Sequence, residues 1–136
     1  MAHTHKVLES HKDRISTIEI WDNGIIFMNI TNNCQVELED AERQYELLRS
    51  KFDGKHKLRV LVEPGRYTTI SKEARAFSAV IERNLMTAGT AVMAKTLAHR
   101  IIINFMINIT RQQSMKMRMF DKREKAIEWL LALKVD

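Results

Sequence analysis

The sequence predicts one α/β domain in the order β-β-α-β-α-β-α-β-α, with a mixed, mostly parallel sheet opened by an antiparallel hairpin and helices packed against it. Three observations carry this reading: an Asn-Gly turn between β-rich runs in residues 15–30, an alternation of strand-like and one-sided helical patterns after it, and a polar-capped amphipathic run over residues 121–133. Strands that alternate with helices imply right-handed crossovers between parallel neighbours. The 136 residues suffice for such a domain, because a chain of this length hides roughly two-thirds of its unfolded surface. The polar residues 1–11 are expected to form a flexible tail, which leaves residues 12–136 as a single domain.

Ile15 to Trp21 is rich in β-formers and runs into Asp22-Asn23-Gly24. Asn-Gly suits a type I′ turn, whose two central residues both need positive φ. Ile25 to Ile30 returns apolar on both faces, as a central strand does, and the polar Thr31-Asn32-Asn33 ends it. Leu38, Ala41, Tyr45, Leu48 and Phe52 recur at intervals of three and four, which is one stripe of a helix. Glu39 and Asp40 open that helix while Arg49 and Lys51 close it, the polarity a helix dipole favours, and Asp53-Gly54 stops it.

Leu58 to Val62 reads as a short buried strand ended by Pro64-Gly65. Ser71 offers an N-cap to a second helix, whose stripe is Ala74, Phe77, Ile81 and Leu85. Ala91 to Ala94 reads as another short strand. Residues 97–109 fit a strand by their β-branched content and a helix by their length and the strand before them. Met115, Met117 and Met119 alternate with Lys116 and Arg118, the period of a half-exposed strand. Asp121 is placed to cap the last helix, with Glu124 three residues on and Ala126, Ile127, Leu130, Leu131 and Leu133 on its buried side.

The net charge of +5 is local. Residues 1–90 hold 13 basic and 13 acidic residues, whereas residues 91–136 hold 9 basic and 4 acidic ones. The densest run, Arg111 to Lys125, is either a solvated face or a surface for an anionic partner. Nucleic acid is disfavoured, because Phe120 is the one aromatic in that run and stacking platforms are lacking. No apolar run approaches the roughly 20 residues of a membrane span, and the N-terminus carries no signal core. These features and a single thiol, Cys34, predict a cytoplasmic protein.

Catalytic and cofactor signatures are missing. The four glycines are far apart, so no phosphate-cradling loop or nucleophile elbow occurs. His3, His5, His11, His56 and His99 show no spacing of a closed metal site, and no metal or cofactor is expected. Two segments remain as candidates. Glu63 to Ser71 joins the end of a parallel strand to a helix N-terminus, where Arg66, Thr68, Thr69 and Ser71 are placed to hold an anion or accept a phosphate; the plain alternative is a connection capped by Ser71. The run at 97–109 is apolar nearly all round, so Arg100, Ile102, Phe105, Met106 and Ile109 are candidates for a surface that meets a second copy, a partner or an apolar ligand.

Lys57-Leu58-Arg59-Val60-Leu61-Val62, the Glu73-Ala74-Arg75 helix start, His99 to Phe105 and the ending Phe120-Asp121 to Leu130 together resemble the STAS-like domains, the anti-sigma-factor-antagonist type, in a small stand-alone bacterial subgroup. The resemblance spans residues 12–133 and implies that 97–109 is a helix. It also implies a non-enzymatic regulatory or interaction module, a homodimer or a protein partner of kinase or anti-sigma type. In the antagonist branch a serine in an Asp-Ser-Ser-Gly-like turn is phosphorylated; this chain has Glu63-Pro64-Gly65-Arg66-Tyr67 there and reaches Ser71 only later. The alternative function is the binding of a lipid or small apolar ligand beneath the 97–109 helix.

Overall fold

The structure, a computed structural model, describes residues 5–82, 86–111 and 116–136. Its first element corrects the expectation of a flexible tail: strand β1 (Val7–Lys12) pairs antiparallel with β2 (Ser16–Trp21). All six β1 residues are exposed, so no buried periodicity marks the strand in the sequence. The ladder itself holds it, together with an ion pair of 2.6 Å between Glu9 and Lys51.

β2 turns into β3 (Ile25–Ile30) as the Asn-Gly signal predicts, but the turn is of another type. The loop has three residues, the Gly24 N–H donates to the Trp21 carbonyl at 3.1 Å, and of the three only Gly24 takes positive φ, at 87°. One left-handed glycine after a tight turn gives the strands the same twist as a type I′ pair.

Two short strands that no periodicity could reveal, β4 (Gln35–Val36) and β6 (Thr69–Ile70), form a separate parallel ladder. Between them lie α1 (Leu38–Lys51) and β5 (Leu58–Glu63). α1 begins where the Glu37 N–H donates to the Asp40 carboxylate at 2.9 Å. α2 (Lys72–Glu82) is capped by Ser71, whose hydroxyl accepts the Ala74 N–H at 3.1 Å.

β7 (Thr87–Met93) starts earlier than expected, because Ala88 and Gly89 are poor strand signals. Gly89 is needed there: a Cβ would lie 2.5 Å from Leu133 and 3.0 Å from Trp129. Residues 97–111 form α3 (Leu97–Arg111), which settles the strand-or-helix ambiguity as the family resemblance implied. β8 (Met117–Phe120) carries the methionine alternation; Met115 and Leu85 lie outside the described residues. α4 (Arg123–Leu131) starts one residue later than expected, with Lys122 rather than Asp121 at the N-cap and no side-chain cap.

The main sheet has the order β1-β2-β3-β5-β7-β8, antiparallel to β3 and parallel beyond it. In-register neighbours share a face. Phe27, Leu61 and Ala91 are aligned partners and meet Ala126, Ile127 and Leu130 of α4. The next residues, Met28, Val62 and Val92, point the other way, where α1, α2 and α3 lie. Arg14 and Arg43 converge on Asp40, which is 1% exposed, and so tie the start of α1 to the β1–β2 turn. Burial alone would raise the Asp40 pKa, but these guanidinium bonds and the Glu37 N–H outweigh it and hold it below the ordinary range.

Candidate functional site

The three-helix face of the sheet is not closed. A cavity of about 190 Å³ lies between it and the helices. The sheet supplies Met28, Val60, Val62, Thr90 and Val92; α1 supplies Ala41, Gln44, Tyr45 and Leu48. Phe77 and Ser78 come from α2, and His99, Ile102, Ile103 and Met106 from α3. No lysine, arginine, aspartate or glutamate is among the described residues of its wall.

Two polar side chains stand out in this apolar wall. His99 and Thr90 are each 4% exposed; Thr90 Oγ1 has no hydrogen-bond partner, whereas the His99 ring N–H is directed at the Gly65 carbonyl. A polar atom buried in apolar surroundings without a partner costs about 1–3 kcal/mol. His99 is fixed from both sides: its backbone N–H donates to the Thr96 hydroxyl at 3.1 Å, and its Nδ1 accepts the Lys95 N–H at 3.2 Å. Thr96 therefore caps α3 and puts His99 in the first turn. Burial lowers the His99 pKa; the Gly65 carbonyl opposes this and the Lys95 charge reinforces it, with a net downward shift. The ring is neutral at pH 7, and with Nδ1 accepting, its proton resides on Nε2.

The candidate residues separate. Ile102 and Met106 line the cavity, as do Thr68 and Thr69. Phe105 and Arg100 do not: Phe105 is 53% exposed on the outer face of α3, with Arg75 5.8 Å above its ring. It continues an outward stripe with Leu97 and Ile101. Arg100 borders a polar groove with Arg118, Lys125 and Phe120. Ile109 lies outside the residues whose side chains are described.

In the strand-to-helix loop the hydroxyls are engaged. Thr68 is buried and donates to the Thr31 carbonyl at 2.9 Å, Ser71 caps α2, and the exposed Thr69 donates to Gln35 at 3.1 Å. Arg66 is exposed and donates its N–H to Asn32 at 2.8 Å. The basic run is partly spent within the fold, since Arg123 pairs with Glu63 at 2.6 Å.

The model of the family described as a domain of unknown function, DUF7793, matches residues 18–134. The chain belongs to that family. No curated protein matches the sequence. Among solved structures, the DUF7793 chain is similar to an uncharacterised protein of the DUF3478 family with a SpoIIAA-like fold, from Shewanella loihica PV-4. The TM-score is 0.59 at 12% identity, over 96% of this chain and 98% of that one. This likeness shows the fold: the DUF7793 domain has the STAS-like architecture that its sequence resembles. No described helix is long and apolar enough to cross a membrane.

Sequence reasoning missed His99 and Thr90 as site residues of the DUF7793 domain. The signal for His99 was a histidine three residues before Ile102 and seven before Met106, on one helical face. Thr90 carried none, since a threonine in a strand is ordinary.

Proposed function

We propose that this DUF7793 domain is a non-enzymatic STAS-like module that binds a small apolar molecule in the cavity beneath α3. One observation supports this above others: an apolar cavity of about 190 Å³ between the sheet and three helices, with no ionisable lysine, arginine, aspartate or glutamate among the described residues of its wall. A cavity kept only by imperfect packing costs stability without return, and natural interiors hold few voids larger than a water. Native mass spectrometry of the freshly purified chain tests the reading. A co-purified mass of small-molecule size, lost on mild activation, is expected; a clean apo mass that stays unchanged with added apolar compounds overturns it.

The outer stripe of α3 favours a second reading, a regulatory contact with a protein or a second copy. Leu97, Ile101 and Phe105 are 73%, 63% and 53% exposed and follow one another at intervals of four. Light scattering over micromolar concentrations separates a dimer from a strict monomer, which would leave the stripe to another protein.

A further inference from the structure

We propose that the outer face of α3 docks an acidic amphipathic helix of a partner protein. The inference rests on the second reading above and names the chemistry of that partner. Leu97, Ile101 and Phe105 form a solvent-facing stripe about two turns, or about 12 Å, long. At about 100° per residue, Phe105 marks one margin of the stripe, and the exposed Arg100 stands beyond the other, next to Leu97. Arg75 of α2 flanks the Phe105 margin, with its guanidinium 5.8 Å above the ring. A cation thus stands on either side of the apolar strip. Neither meets a carboxylate among the residues whose side chains are described.

Charge selects among the occupants. Residues 83–120 hold six lysines and arginines and no aspartate or glutamate. A second copy packed stripe to stripe sets α3 against α3, with cations on both helices and no carboxylate on either. An anionic bilayer covers more than the stripe. It meets the mixed charges of the groove beside Arg100, where exposed Asp121 and Glu128 stand with Arg118 and Lys125. A helix lying along the stripe reaches only the two flanking arginines. Its apolar side chains cover Leu97, Ile101 and Phe105, and a carboxylate on each of its flanks pairs with Arg100 or Arg75. Charges at the margins of an apolar seam set partner choice in paired helices in the same way.

Two end-capped helical peptides of about 18 residues test this on the full chain. Both carry leucine at intervals of three and four; glutamate flanks the leucines in one and lysine in the other. Fluorescence anisotropy gives each Kd, and methyl NMR locates the contact. The glutamate peptide should bind about tenfold more tightly, with shifts at Leu97 and Ile101, and added salt should shrink the difference. Arg75→Gln and Arg100→Gln should each cut the preference to about threefold, and Ile101→Ser should abolish binding of both peptides. If Arg75→Gln does not fold, the exposed Arg100 decides. Equal binding of the two peptides overturns the acidic chemistry and leaves the contact reading intact. A dimer in light scattering that Ile101→Ser disperses overturns the proposal in favour of a second copy. Co-sedimentation with phosphatidylglycerol vesicles that Ile101→Ser abolishes overturns it in favour of a lipid surface. Absence of binding by both peptides to a strict monomer overturns the contact reading as well.

Discussion

Replacing Thr90 by valine should stabilise the unliganded protein, although exchanging a buried threonine for valine ordinarily destabilises. Thr90 is 4% exposed, and its hydroxyl has no partner. Its desolvation therefore costs about 1–3 kcal/mol that no hydrogen bond returns. Valine keeps the β-branched shape that β7 needs and replaces the hydroxyl with a methyl group worth about 0.8 kcal/mol on burial. Taking the low end of each contribution, the substitution should raise stability by about 1–2 kcal/mol. The neighbouring cavity leaves room for the methyl, so overpacking does not offset the gain. Urea unfolding of both proteins without ligand, at constant m-value, reads the difference. A loss of about 1 kcal/mol would mean that the hydroxyl is bonded in the folded state and would refute the reasoning.

Three other outcomes follow from the same contacts. Ser78→Leu, which projects a larger apolar side chain from α2 into the cavity, should stabilise the fold by about 1–2 kcal/mol and abolish isopropylbenzene binding; unfolding and a methyl NMR titration read the two effects. Asp40→Ala should cost about 2–3 kcal/mol in urea unfolding, below the full cost of a broken buried pair, because Arg14 and Arg43 stay half-exposed to water. The lowered His99 pKa means that the unfolded chain takes up the proton first as the pH falls. Stability from His99 is thus complete above about pH 6.5 and falls below it, so wild type should lose stability relative to His99→Gln as the pH drops below about 6.5.

Much of the fold was legible where burial imposes a period. The α1 stripe could be read because one face of that helix is covered, while the β2–β3 hairpin was marked by its Asn-Gly turn and the start of α2 by the Ser71 cap. β1 is exposed at every residue, so no pattern distinguished it from a tail. β4 and β6 have two residues each, too short for any periodicity. β7 hid its first half behind Ala88 and Gly89, and Trp129 and Leu133 of the C-terminal segment pack closely over Gly89.

The site was less legible than the fold. Ile102 and Met106 were placed near it by the apolar excess of α3, but the same excess drew in Phe105, which faces outward. A helix apolar on two sides does not declare which side meets the sheet. His99 and Thr90 matter because three helices and the sheet enclose them together, and no local spacing encodes that enclosure.

The central claim is that the cavity beneath α3 holds a small apolar molecule. Methyl NMR during titration with isopropylbenzene tests it most directly. The account predicts saturable shifts at Ile102, Ile103 and Met106, which line the cavity. Shifts confined to Leu97 and Ile101 on the outer face, or none at all, would contradict it.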